Sequence, residues 1–201
     1  MLIGVGLGPG DPELLTLKAV RLLREADRVF VPGRIAWELV SDYCEPVLLD
    51  FPMTEDEPEV RRSMQRNASL IAPAARDGLA VLGILGDPNF FSTFSRLAAM
   101  MAEMYPGIEC RTVPGVSAIT AFASLAGVSL RGSFLVTDGG NDAHRVVLKV
   151  KEPKKMAERL RDEGYCHFVL LERMFLSGMK IYHEEELPTT SDYMSVLYAG
   201  R

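Results

Sequence analysis

The chain of 201 residues is long enough for one large domain or two small ones. Hydrophobic residues make up 48% and charged residues 24%, close to the averages of globular proteins, which excludes a disordered chain. The net charge of −5 leaves no basic excess to neutralise phosphates, so no nucleic-acid partner is expected.

Three further features predict the compartment. The first residues, MLIGVG, lack the basic segment of a signal peptide. The longest apolar runs, such as residues 79–85, are too short to cross a bilayer. The cysteines, Cys44, Cys110 and Cys166, form no CxxC pair, and we interpret them as reduced core residues. We therefore predict a cytoplasmic protein with no membrane partner.

Strand and helix patterns alternate through the first half of the chain. We predict strands over residues 1–5, 28–31, around 47, 79–85 and 109–113. Helices are predicted over residues 14–26, 35–43, 60–76 and 93–104. This alternation predicts an α/β fold with a largely parallel sheet that helices cover on both faces.

A second series of elements follows the Pro114-Gly115 pair. Helices are predicted over 118–126 and 154–163, and strands over 133–136, 146–150, 166–171 and 195–199. We place the domain boundary at this pair, between an N-terminal α/β domain over residues 1–113 and a C-terminal α/β domain over residues 114–201.

A glycine-rich segment, GVGLGPGDP at residues 4–12, follows the first predicted strand. Glycines let the backbone approach a ligand, and the N-terminus of a following helix favours anionic groups. The spacing excludes the dinucleotide fingerprint GxGxxG, because Pro9 and Asp11 stand where glycine is needed, and no Walker Gly-Lys-Ser/Thr follows. A ligand site and a tight turn without a ligand both stay open.

Two later loops also follow predicted strands. The loop at residues 85–93, LGDPNFFST, places Asp87 at the carboxyl end of a strand, where ligands gather in open α/β sheets. Asp87 either binds a ribose or an amine or merely caps the next helix. The segment VPGVSA, at residues 113–118, is either part of a site or a linker with Ser117 as an N-cap.

Together these three segments resemble the tetrapyrrole methylase family, the enzymes of sirohaem and cobalamin synthesis that use S-adenosylmethionine (SAM). The family's opening GxGPGDPxLLTxKA stands here at residues 6–19, its GD loop at 85–88 and its PGxSA junction at 114–118. The resemblance implies a homodimer whose chains have two α/β domains, with SAM in the interdomain cleft.

Three details are similar to the methyltransferases that act on carbon 20 of precorrin-2 or cobalt-factor II. They are GDPxFxST at residues 86–93, VLKV at 147–150 and DYxS at 192–195, although the chain is shorter than most of that subgroup between residues 33 and 60. The resemblance implies SAM-dependent C-methylation of a tetrapyrrole in cobalamin synthesis. The alternatives are another tetrapyrrole carbon, a diphthamide precursor or ribosomal RNA as the substrate, or a binding module for SAM or a tetrapyrrole without turnover.

The resemblance also implies which residues contact SAM. Leu85, Gly86 and Asp87 would hold its methionine or ribose part, whereas a methionine such as Met174, from the sequence alone, is more often a core residue. The implied cofactor contacts are Pro9, Leu85, Gly86, Asp87, Ser117, Ala118, Met174 and Ser195.

Methyl transfer to an electron-rich carbon needs no activated nucleophile on the protein, but a base must take the proton from the methylated carbon. Asp11 is our first candidate, and Lys149 and Tyr193 are alternatives that could instead bind substrate carboxylates. Further candidates for binding these carboxylates, or plain solvated surface, are Arg34, Arg61, Arg62 and Arg66.

The three histidines, His144, His167 and His183, are scattered, without the spacing of metal ligands. We therefore expect no protein-bound metal, and any cobalt would arrive within the substrate. His167 begins an apolar run, and we expect it to be a core residue.

Overall fold

The computed structural model describes residues 1–54, 56–127, 129–134, 136, 143–174 and 177–201. Backbone contacts divide the chain into two compact units, Met1–Phe134 and Leu135–Arg201. The boundary between 113 and 114 lies earlier in the chain, directly after the last strand of the first sheet. As a boundary between domains it stays a prediction.

The first unit is built on a parallel sheet of five strands in the order β3-β2-β4-β1-β5. The strands are β1 Leu2–Gly6, β2 Arg28–Val31, β3 Pro46–Leu48, β4 Ala80–Ile84 and β5 Cys110–Val113. The helices are α1 Leu17–Glu25, α2 Arg34–Val40, α3 Glu57–Asp77, α4 Phe94–Met104 and α5 Ala118–Leu125. The prediction of an α/β fold with a parallel sheet is confirmed.

Helices cover this sheet on both faces, because successive strand residues point to opposite sides. On β1, Leu2 packs in a core cluster with residues of α3 and α4, whereas Ile3 and Val5 pack with residues of α1 and α2. The central strands β1 and β4 are buried along their whole length, which explains why they are continuous apolar runs in the sequence.

The strand order decides where the three motifs lie. The central strand β1 has β4 on one side and β5 on the other, with Gly6 paired to Ile84 and Val5 to Val113. All three strands run in the same direction, so their carboxyl ends lie side by side. Each of the three predicted motifs is the loop that leaves one of these ends.

The second unit contains an antiparallel sheet of four strands in the order β6-β9-β7-β8. Its strands are β6 His144–Leu148, β7 His167–Glu172, β8 Lys180–His183 and β9 Ser195–Gly200, and its helix is α6 Pro153–Asp162. Ala157 and Leu160 of α6 pack with Phe168, Leu170 and Leu197 of the sheet into a single core cluster.

Some sequence-based expectations for this half of the chain are wrong. Of the strand predicted over 133–136, residues 133, 134 and 136 belong to no strand, and residue 135 lies outside the described residues. His167 is exposed and pairs with Glu184 at 3.2 Å, and Cys166 is also exposed. Phe168 and Leu170 are the residues of this run that face the core.

The other two cysteines are partly buried. Cys44 and Cys110 pack against the two core clusters of the first unit, and burial raises the pKa of both thiols. A raised pKa lowers the fraction of reactive thiolate, so these thiols are less nucleophilic than a free cysteine.

Candidate functional site

The loops after β1, β4 and β5 meet at the edge of the first sheet. The amide of Gly86 donates a hydrogen bond of 2.7 Å to the carbonyl of Gly8, which pairs the first loop with the second in an antiparallel bridge. Leu7 likewise donates to the carbonyl of Ile84 at 2.8 Å. The sheet is thereby extended into the loops, and their backbones are fixed relative to each other.

Three glycines pack against one another where these loops meet. A β-carbon on Gly115 would lie 2.3 Å from the carbonyl oxygen of Gly86 and 2.7 Å from the α-carbon of Gly6. A β-carbon on Gly6 would lie 2.4 Å from the amide nitrogen of Gly115. These neighbours are backbone atoms, which cannot rotate away as a side chain can. The close approach of the three loops therefore requires glycine.

Asp87 holds the second loop to the third. It is 6% exposed, and its Oδ2 accepts a hydrogen bond of 3.1 Å from the amide of Gly115. Its Oδ1 accepts from the backbone and side-chain amides of Asn89 at 2.8 and 3.1 Å. The sequence left helix capping open for Asp87, but the residue at the N-cap of α4 is Thr93.

One side of this three-loop cluster is open. The β-carbon positions of Gly10 and Gly86 have no neighbour within 4 Å, and both residues have positive φ angles, 127° and 71°. The adjoining side chains of Pro9 and Leu85 are exposed. The backbone of the cluster, flanked by apolar side chains, is therefore accessible from this side.

Polar residues at the ends of these loops have local partners. Asp11 is exposed, and its Oδ1 accepts a hydrogen bond of 2.9 Å from the amide of Glu13 at the start of a short 3₁₀ helix. Ser117 is the N-cap of α5 and accepts from Ile119 at 3.2 Å. Ala118 is the exposed first residue of that helix. Whether Asp11, Ser117 and Ala118 contact a ligand stays a prediction.

The second unit brings together residues that lie far apart in the sequence. The ammonium of Lys149 lies 5.1 Å from the centre of the Tyr193 ring, and the interaction with the Tyr193 side chain raises the pKa of Lys149. The backbone amide of Lys149 donates to the carbonyl of Ser195 at 2.8 Å. Ser195 is buried, and its hydroxyl donates to the carbonyl of Val150 at 2.9 Å.

Several residues of this region were not indicated as candidates by any pattern in the sequence. Buried Glu172, at the end of β7, accepts a hydrogen bond of 3.2 Å from the amide of Asp192. Arg173 pairs with Asp192 at 3.6 Å, and its amide donates to the carbonyl of Met194 at 2.8 Å. The neighbouring Met174, a predicted cofactor contact, is 43% exposed, so the core alternative for it is wrong.

The predicted arginine candidates lie on the helices of the first unit. Arg34, Arg61 and Arg66 form ion pairs with Glu38, Glu103 and Asp50. Exposed pairs of this kind exchange partners at little cost in free energy, so the pairs neither support nor exclude a role in binding carboxylates.

The described residues contain neither a metal-ligand cluster nor a membrane-spanning helix. No group of three or more His, Cys, Asp or Glu residues there is arranged to hold a metal ion. In the same part of the chain, no helix combines the length and the apolar character that a membrane span requires.

Residues 1–169 match the family of Tetrapyrrole (Corrin/Porphyrin) Methylases. The chain is 35% identical over 136 residues to a probable cobalt-precorrin-2 C(20)-methyltransferase of Methanocaldococcus jannaschii, a match that covers 63% of this chain and 57% of that protein. It is 34% identical over 148 residues to a precorrin-2 C(20)-methyltransferase of Sinorhizobium, with coverage of 64% and 59%. The match thus spans less than three fifths of the length of these relatives.

A solved structure is similar over nearly its whole length. The uroporphyrin-III-C-methyltransferase of Thermus thermophilus matches with a TM-score of 0.52 and 25% sequence identity, over 99% of this chain and 91% of that one. The likeness agrees with an α/β fold that carries a second sheet.

Proposed function

The chain belongs to the tetrapyrrole methylase family, and from this premise we propose that it is a SAM-dependent methyltransferase of cobalamin synthesis. We propose carbon 20 of precorrin-2 or cobalt-factor II as the methylated position. Support for the position comes from the two relatives that are named for it. The motifs GDPxFxST, VLKV and DYxS support the same position.

The observation that carries the proposal is the three-loop cluster of the first unit. Glycine packing fixes its backbone, and the positive-φ residues Gly10 and Gly86 leave open space beside it. Exposed Pro9 and Leu85 add apolar surface. Backbone polar groups next to apolar side chains suit an adenosine and a sulfonium, neither of which needs a strong charge partner. The residues present therefore fit SAM, held by the loops that contain Pro9, Leu85–Asp87 and Ser117–Ala118.

SAM supplies an electrophilic methyl group, which an electron-rich ring carbon can accept without an activated nucleophile on the protein. The protein's main contribution is then position, since holding two reactants in line is worth about 7–11 kcal/mol of the barrier. The hydrogen bonds of Asp87 to Gly115 and Asn89 keep the loops in one arrangement before any ligand arrives. Met174 and Ser195 stay predictions as further contacts.

The proton of the methylated carbon needs an acceptor, for which we propose Oδ2 of Asp11. Oδ1 accepts from Glu13, and this bond fixes the carboxylate while the residue stays exposed. Lys149 is the poorer base, because Tyr193 raises its pKa further above the ordinary value of 10.5 and a protonated ammonium cannot accept the proton.

We also propose that the protein is cytoplasmic, forms a homodimer and acts on a small-molecule tetrapyrrole without a protein-bound metal, nucleic acid or membrane partner. The net charge of −5 supports the absence of a nucleic-acid partner. Light scattering on the purified protein at several concentrations tests the dimer, and a monomer at every concentration would refute it.

Mass spectrometry tests the reaction. Precorrin-2, cobalt-factor II and uroporphyrinogen III are each incubated anaerobically with the protein, with and without SAM. We expect a gain of one methyl group on precorrin-2 or cobalt-factor II that requires SAM. A gain on uroporphyrinogen III alone would reassign the substrate. SAM binding by calorimetry with no gain on any substrate would favour a binding module without turnover.

A further inference from the structure

Lys149 and Tyr193 form a pair at one end of the second sheet. Lys149 directly follows β6 and Tyr193 lies in the loop before β9, yet the lysine ammonium lies over the tyrosine ring, 5.1 Å from its centre. The backbone of Lys149 has a φ of 57°, in the left-handed region that a side chain other than glycine rarely adopts. This conformation redirects the chain directly after β6.

The segment that carries Tyr193 is fixed on both sides. The hydroxyl of Ser191 donates to the carbonyl of Val150, and the amide of Ser191 donates to the carbonyl of Lys151 at 3.0 Å. On the side of β7, Glu172 accepts from Asp192. Because its backbone is held by the residues that follow β6 and by the last residue of β7, this segment needs little ordering when a ligand binds, which lowers the entropic cost of binding.

The side chains on this fixed segment nevertheless face solvent. Tyr193 is 61% and Met194 53% exposed, and Lys149 is exposed beside them. The nearby guanidinium of Arg173 is paired with Asp192. By contrast, no carboxylate among the described residues lies within 4 Å of the Lys149 ammonium. A cation without an acidic partner, next to an exposed apolar side chain, is complementary to an anion on an apolar body.

We propose that Lys149 and Tyr193 together bind one peripheral carboxylate of the tetrapyrrole, the lysine through its charge and the tyrosine through its hydroxyl. The inference rests on the proposed function and gives this pair a role in substrate binding instead of proton transfer. The lysine is charged throughout the neutral range, because its pKa lies above the ordinary value of 10.5.

Uroporphyrin III, a polycarboxylated tetrapyrrole, is the probe. Its affinity is measured by fluorescence quenching on the full chain and on the variants Lys149→Met, Lys149→Arg and Tyr193→Phe. The matched control is Lys180→Met, which removes an exposed lysine from β8 of the same sheet. SAM affinity is measured in parallel by calorimetry.

We expect Lys149→Met to weaken uroporphyrin binding roughly three- to tenfold, as for loss of one partly solvated ion pair. Tyr193→Phe should weaken it less, and Lys149→Arg should retain most of the affinity. Raising the salt concentration should reduce the difference in uroporphyrin affinity between the wild type and Lys149→Met, because salt screens the charge of the lysine. The SAM affinity of every variant should equal that of the wild type. The Lys180→Met control should bind uroporphyrin as tightly as the wild type.

Two results would overturn the inference, and they are distinguishable. If the wild type binds uroporphyrin and Lys149→Met binds it equally well, the pair has no role in binding, while the proposed function stands. If the wild type binds SAM but neither uroporphyrin nor precorrin-2, the proposed function fails and the inference fails with it. Thermal denaturation of each variant distinguishes a loss of uroporphyrin affinity from a loss of the folded structure.

Discussion

The three-loop cluster of the first unit and the Tyr193 segment of the second unit, residues 191–195, are both rigid, but they are built differently. In the cluster, backbone contacts backbone directly, because Gly6 and Gly115 carry no side chains where they meet each other and the carbonyl of Gly86. In the segment, the side chains of Ser191, Ser195 and Glu172 hold the backbone. The three-loop cluster therefore offers a ligand mostly backbone polar groups. The Tyr193 segment, with Lys149 beside it, offers a charge and a hydroxyl.

Gly115→Ala should break the three-loop cluster. The new methyl group would lie 2.3 Å from the carbonyl oxygen of Gly86, and because backbone atoms must move to admit it, we expect a loss of about 3 kcal/mol in unfolding free energy. SAM binding should be abolished in calorimetry. The control is Gly107→Ala, whose methyl group meets no atom within 4 Å and should change stability by less than about 1 kcal/mol. Equal stability of the two variants would contradict this account.

Each region also supplies a candidate base. Asp11→Asn keeps the oxygen that caps the 3₁₀ helix but removes the carboxylate, so we expect a loss of about 100-fold in the methylation rate, equivalent to about 2.7 kcal/mol. The rate is measured in single turnover with saturating SAM and tetrapyrrole. Lys149→Met should retain most of the rate at saturating tetrapyrrole, but a higher tetrapyrrole concentration should be needed to reach saturation. The reverse pattern would place the base in the second unit.

Asp87→Ala tests the one carboxylate on which the three-loop cluster depends. It removes the buried carboxylate to which the amides of Gly115 and Asn89 donate, and because hydrogen bonds to a charged group are the stronger ones, we expect a cost of about 2 kcal/mol in unfolding free energy. Asp87→Asn retains one acceptor oxygen and should lie between the wild type and the alanine variant in a urea titration. An alanine variant as stable as wild type would show that water replaces Asp87 at both amides.

The serine contacts of the second unit should be individually weaker. Ser191 and Ser195 both donate to the carbonyl of Val150, so either hydroxyl can satisfy this acceptor alone. We expect about 1 kcal/mol or less for each alanine variant. The double variant leaves the carbonyl without a donor and should cost more than the sum of the single variants. A double-mutant cycle by urea denaturation measures the difference, and strict additivity would contradict the shared acceptor.

The smallest effect is a pH dependence of the second unit. Hydrogen bonds from Arg145, and more weakly from Arg159, lower the pKa of Glu163 below its ordinary value of 4.5. The contribution of this carboxylate to stability is therefore complete above pH 4.5 and is lost as the pH falls through the lower, folded-state pKa. Between pH 6 and pH 3, the unfolding temperature of Glu163→Gln should fall less steeply than that of the wild type. Parallel curves would show that these exposed pairs contribute nothing.

The first sheet could be predicted from the sequence because its strands and helices are locally encoded. Buried parallel strands are continuous apolar runs, and each is followed by a helix of distinct period. The edge strand β8, Lys180–His183, escaped prediction because it mixes polar and apolar residues and is defined by its pairing with β7. His167 was assigned to the core because the apolar run around it hides the alternation that exposes it.

The site was predictable only in part, because local sequence patterns identify elements and loops but not which strands pair with each other. The motifs identified the loops, since their glycines and Asp87 stand directly after apolar strands. The contact of Gly115 with Gly6 and Gly86 depends on the order β4-β1-β5, which no local pattern contains. The approach of Lys149 to Tyr193 likewise depends on strand pairing, because β6 and β7 both pair with β9.

The packing of Gly6, Gly86 and Gly115 also has a consequence for the gene. Every amino-acid change that a single base can make in a glycine codon adds a β-carbon, and at Gly6 or Gly115 that atom would overlap the backbone of a neighbouring loop. The codons for Gly6 and Gly115 can thus drift only silently, at their third base. Sequence variation that alters ligand preference is therefore expected at positions such as Lys149 and Tyr193, whose side chains face solvent.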